Sequence, residues 1–135
     1  MVIIHKSLTP LNKKYSVLIY DKEFITPLHY LYYYIYASTH DEKEAVLKTK
    51  SAEELLSMQL QFKDVISNEM ELNRKVYTLI TYLYMFHEDF RNAVLLLSTK
   101  EDRINMAIKN DAYFGYPGNK WGRAIMSFRK AILIQ

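Results

Sequence analysis

The chain has 135 residues, 50% of them apolar and 24% charged. That is enough for one domain with one core, and too ordinary a balance for a disordered chain. Three glycines and three prolines weigh against a loop-rich sandwich or a linker, and the absence of cysteine removes disulfides, thiolate metal sites and cysteine nucleophiles while fitting a reducing compartment. The net charge of +3, with a pI near 8.9, is mild for a nucleic-acid binder, so nucleic acid is disfavoured as a partner.

The opening MVIIHKSLTP carries His, Lys and Pro where a signal peptide needs a longer apolar core, so no leader is expected. Residues 15–25, YSVLIYDKEFI, read as a β-hairpin turning around Asp21-Lys22. Thr26-Pro27 then opens a helix, Thr as N-cap and Pro at the first helical position, that is expected to run to about Ser38. Its segment Leu28 to Ala37 is the most membrane-like stretch, but it is half the length of a span and full of phenols, so no membrane is expected as a partner.

Asp41 with Glu44, and Ser51 with Glu54, have the spacing of capping boxes. They predict two more helices, the second ending near Ile66. Ser67 or Asn68 caps a fourth, in which Leu72, Val76, Leu79, Leu83 and Phe86 recur at helical spacing. His87 to Asp89 break that pattern before a fifth apolar segment, Phe90 to Leu97. Thr99 to Tyr116 is irregular, with turn chemistry at Asn110-Asp111 and Gly115-Tyr116-Pro117-Gly118, and a last helix covers about Asn119 to Leu133. The expected fold is mainly α: a single multihelical domain over residues 1–135 with a small N-terminal β-hairpin.

Chemistry concentrates at Asp111, Tyr113, Gly115, Gly118, Asn119, Trp121 and Arg123. A glycine-rich turn allows close approach to backbone, and the helix N-terminus it feeds favours an anion. The carboxylate, amide, rings and guanidinium around it suit a ribose, a base and a phosphate. The plainer reading gives Asp111 a turn, Asn119 a cap and Trp121 a core position. His5, His29, His40 and His87 are too scattered for a metal site, and none is expected. His29 reads first as a structural histidine. Tyr30, Tyr32, Tyr33, Tyr34 and Tyr36 cover every face of their helix, so they cannot form one stacking stripe; core is their default. No basic residue lies between Lys22 and Lys43, which argues against a single-strand nucleic-acid platform there.

The C-terminal third resembles the NADAR (YbiA-like) family. Leu95-Leu96-Leu97-Ser98-Thr99 with Lys100-Glu101-Asp102 resembles its "LL-x-T-G-D" stretch, and Asn110-Asp111-Ala112-Tyr113-Phe114-Gly115 its "D-x-x-W-G" turn. Gly118-Asn119-Lys120-Trp121-Gly122-Arg123-Ala124-Ile125-Met126, with Arg129, is similar to its closing "G-x-N-x-L-G-K-x-L-M-x-x-R". Upstream, Thr26-Pro27-Leu28-His29-Tyr30 stands where the family has "T/S-V-E-H-Y", Lys50 to Glu54 where it has "P-x-E-A-K", and Arg74 and Phe86 fall at matching spacing. The resemblance implies a YbiA-like fold and N-glycosidase or ADP-ribose chemistry. By the same resemblance, His29, Arg74, Asp111, Gly115, Gly118, Asn119, Gly122 and Arg123 keep the family's site positions. Its Glu, Gln and Lys instead fall on Leu28, Tyr32 and Ile35, its Trp on Met70, and the Lys of its "K-F" pair on Met85.

Those replacements remove the charge and proton-transfer capacity that glycosidic cleavage uses. The leading expectation is therefore a degenerate NADAR-like protein that binds a nucleotide or ADP-ribose-type small molecule, or a protein partner, without efficient catalysis. It needs no cofactor. The alternative is an active N-glycosidase with Asp111 as its catalytic carboxylate and Asn119 and Arg123 as clamps. A second alternative is a tyrosine-rich module that binds a partner through exposed rings. Glu23, Glu69, Glu71 and Lys75 are the candidates to replace the missing acid and amine in space. The bias toward Lys, Asn, Ile and Tyr resembles an AT-rich, viral genome; the expected setting is then the host cytoplasm and the expected protein partner a host protein.

Overall fold

A computed structural model of the chain describes residues 2–4, 8–37, 39–58, 69–97, 103–105 and 120–134. Among these the protein is mainly helical, with a two-stranded antiparallel hairpin near the N-terminus. Contacts gather the chain into two units, Pro10–Lys75 and a second made of Met1–Thr9 with Val76–Gln135.

In the Pro10–Lys75 unit, β2 (Val17–Ile19) pairs with β3 (Lys22–Phe24), with Val17 opposite Phe24 and Ile19 opposite Lys22. Val17, Ile19 and Phe24 point inward while Leu18 and Glu23 face solvent, the alternation of a half-buried sheet. The turn is Tyr20-Asp21, one residue earlier than the sequence suggested. Both residues hold positive φ, 55° and 61°, the backbone sign that a two-residue type I′ turn requires.

Thr26 caps α1 (Pro27–Leu31) as expected, its hydroxyl accepting from the His29 amide at 3.3 Å, with Pro27 opening the helix. The α-helix does not continue to Ser38. Residues Tyr32–Tyr36 form a π-helical turn, closed by the Ala37 amide donating to the Tyr32 carbonyl at 2.9 Å. This stretch is buried on nearly every side. Tyr30 and Tyr32 are wholly inside, Tyr33 and Tyr36 nearly so, and Tyr34 is half-buried. Phe24 of the hairpin meets the rings of Tyr30, Tyr33 and Tyr34 at 5.4–5.9 Å between centroids. The tyrosine run is core.

The next helix, α2 (His40–Lys48), is capped by Thr39 and not by the Asp41–Glu44 pair. Thr39 accepts from the Glu42 amide at 3.1 Å, and Glu42 accepts from the Thr39 amide at 3.1 Å, a complete capping box. Ser51 caps α3 (Ala52–Ser57) through the Glu54 amide as expected, while the returning Glu54 carboxylate takes the Lys50 amide. The helix ends at Ser57 rather than near Ile66; residues 59–68 lie outside the described residues.

Helix α4 (Glu69–Phe86) buries Leu72, Val76, Leu79, Ile80 and Leu83, but Phe86, the last residue of the expected stripe, is exposed. The caps Ser67 and Asn68 are outside the described residues. His87 alone interrupts the chain before α5 (Glu88–Leu95), so the break is one residue rather than three. In the second unit Phe90 and Val94 of α5 and Trp121, Ile125 and Phe128 of α6 (Lys120–Ile134) form the core. Arg129 is buried there, its Nε donating to the Val94 carbonyl at 3.2 Å. Two strands have no counterpart in the sequence reading: β1 (Val2–Ile4) pairs in parallel with β4 (Arg103–Asn105), the latter inside the segment read as irregular.

Candidate functional site

Five of the nine expected site residues, Asp111, Tyr113, Gly115, Gly118 and Asn119, lie outside the described residues. The other four are placed. His29 sits within α1, fully buried, with Nδ1 2.7 Å from the Thr26 hydroxyl. Its Nε2 is buried with no hydrogen-bond partner among the described residues. Burial holds the imidazole pKa below the ordinary histidine value of 6.5, and the Thr49 backbone and the Glu54 carboxylate oppose that shift only in part. His29 is thus a neutral ring wedged under its own N-cap.

Arg74 is exposed on α4. Trp121 is wholly buried in the first turn of α6, donating its indole N–H to the Leu8 carbonyl at 2.7 Å and packing 6.5 Å from Phe90. That single donor is spent on the backbone, so Trp121 holds the core. Gly122 is buried beside it, and Arg123 is exposed on the same turn. The structure brings together Trp121, Gly122 and Arg123 by sequence adjacency alone. His29 is hydrogen-bonded to Thr26, and the Thr49 backbone and the Glu54 charge act on its ring.

The positions where the family resemblance expects polar groups are now physical. Leu28, Tyr32 and Ile35 are wholly buried, Leu28 on α1 and the others in the π-helical turn, while Met70 and Met85 are exposed on α4. Of the candidate replacements, Glu23 and Glu71 are exposed. Among the described residues no three His, Asp or Glu side chains gather as metal ligands, and no helix is long and apolar enough to cross a membrane.

Sequence reasoning missed a different cluster. The Lys43 Nζ lies 4.5 Å from the Tyr33 ring centroid and 5.6 Å from that of Tyr34, and donates to the Tyr33 carbonyl at 2.8 Å. The Lys75 Nζ stands 4.7 Å from Tyr20 and 4.6 Å from Tyr34, and the Lys22 Nζ 5.5 Å from Tyr33. The three lysines come from β3, α2 and α4, so the rings acquire their cations from outside the tyrosine run. A gap without basic residues in sequence was no guide to the gap in space. Compared with protein-family models, curated proteins and solved structures, the chain matches none.

Proposed function

We propose that this protein is a degenerate NADAR-like chain that binds a nucleotide or ADP-ribose-type ligand without efficient catalysis. The observation that carries this reading is the burial of Leu28, Tyr32 and Ile35, the three apolar or phenolic side chains at positions where the resemblance expects Glu, Gln and Lys. A wholly buried Leu and Ile can neither stabilise an oxocarbenium-like charge nor shuttle a proton. The one imidazole beside them, His29, is buried and engaged with Thr26. The ligand half of the reading rests on the glycine-rich pattern from Asp111 to Arg123 in the sequence.

Thermal denaturation with ADP-ribose, NAD and GMP tests both halves. A ligand present at about 100 times its Kd stabilises by about 2.7 kcal/mol, an upward shift of several degrees. The expected result is such a shift with at least one of the three and no release of base or ribose over hours. No shift at millimolar ligand removes the binding half, and turnover removes the other.

A further inference from the structure

The lysine–tyrosine cluster of the Pro10–Lys75 unit is built for an anion, and this inference stands apart from the turn at Asp111 to Arg123. Tyr33 and Tyr34 are in edge contact at 4.9 Å, and Tyr20 meets Tyr34 at 6.1 Å. Lys22 and Lys43 share the first ring, Lys43 and Lys75 the second. Three ammonium groups therefore converge on one small aromatic platform. No carboxylate pairs with any of them among the described residues. Ring faces hold a cation in place through their quadrupole without cancelling its charge.

The cations also feel one another. Desolvation first, then repulsion from Lys75 and Lys22, lowers the affinity of the Lys43 amine for its proton. Lys43 donates one of its three N–H groups to the Tyr33 carbonyl, and among the described residues no other acceptor takes the remaining two. Tyr20 is exposed and Tyr34 half-buried, so the platform is open to solvent at its edge. A set of positively charged donors matches a ligand made of negatively charged acceptor oxygens.

We propose that Lys22, Lys43 and Lys75, held over Tyr20, Tyr33 and Tyr34, form a binding site for a small oligophosphate, whether free pyrophosphate or the phosphates of a nucleotide. A compact triad suits such a ligand better than a nucleic-acid strand, whose binding surface repeats its charges along a track. It also falls short of the four to eight basic residues that read as a lipid-surface patch.

Isothermal titration of the full chain with pyrophosphate, ADP and adenosine, at fixed ionic strength, tests this. Pyrophosphate and ADP are expected to bind and adenosine not; equal affinities for pyrophosphate and ADP assign recognition to the phosphates alone, and tighter ADP binding assigns a further contact to the nucleoside. Lys43→Gln and Lys75→Gln are each expected to weaken binding about tenfold, the value of one charge-assisted contact. Lys13→Gln and Lys14→Gln, which remove exposed charge elsewhere in the unit, are expected to change it less than twofold. In the unmodified protein, an NMR titration of the lysine ammonium groups is expected to show the Lys43 pKa rising when pyrophosphate is added, a readout that needs no variant to fold. Absence of pyrophosphate binding, equal weakening by the Lys13 and Lys14 controls, or a Lys43 amine indifferent to pyrophosphate overturns the proposal. An Asn119→Ala, Arg123→Ala double variant separates the two readings: it is expected to abolish any ADP-ribose-induced thermal shift that depends on the turn and to leave pyrophosphate affinity intact.

Discussion

His29 couples the packing of α1 to acidity. In the folded chain its imidazole takes up a proton only below the ordinary histidine range, because burial disfavours the charged ring. The unfolded chain takes up that proton near 6.5. Between the two values the unfolded state holds more protons, so falling pH favours unfolding. The stabilising contribution is complete above pH 6.5 and is lost as pH drops through the folded value. Urea unfolding at pH 7.5 and 5.5 is expected to show the native chain weaker at the lower pH, with a smaller difference in His29→Gln. The sequence suggested a structural histidine here, one turn into the first helix and within reach of a polar partner. What it could not show is that the Thr49 backbone and the Glu54 charge act on the ring, because that influence is tertiary.

At the scale of elements, the helix starts show which local signals were decisive. The sequence offered Asp41 with Glu44 as the cap of α2, but Thr39 with Glu42 satisfies two amides reciprocally two residues earlier. Both pairs have the same spacing, so pattern alone could not rank them. Thr39→Ala is expected to cost about 1 kcal/mol in chemical denaturation, and Asp41→Asn no more than about 0.3 kcal/mol for its place in the first turn. The Thr26-Pro27 and Ser51 starts were legible because cap and first helical residue are neighbours in sequence. The π-helical turn at Tyr32–Tyr36 was not, since nothing in the local run YYYIY distinguishes it from an ordinary helical turn. The parallel pairing of β1 with β4 was equally hidden: three-residue strands carry little pattern, and their partners lie about a hundred residues apart.

For the whole molecule, the class of fold was legible in the sequence and the lysine–tyrosine cluster was not, for one physical reason. Helical periodicity and caps are local, whereas a binding surface is an agreement among distant elements. The Lys22, Lys43 and Lys75 triad needs β3, α2 and α4 in place before it exists at all. The link from Trp121 to Leu8 is of the same kind, a buried hydrogen bond across 113 positions of sequence. Trp121→Phe leaves the Leu8 carbonyl without its donor and removes ring volume from the core, and is expected to cost about 2–4 kcal/mol in urea unfolding. That indole has a use beyond holding its core together. It is the chain's single tryptophan, it belongs to one unit, and the crowded phenols of residues 30–36 belong to the other. Indole emission thus reports on one unit alone, while near-ultraviolet dichroism sums the immobilised rings of both. Melting curves read in the two channels will coincide if both halves come apart in a single cooperative event and separate if they do not.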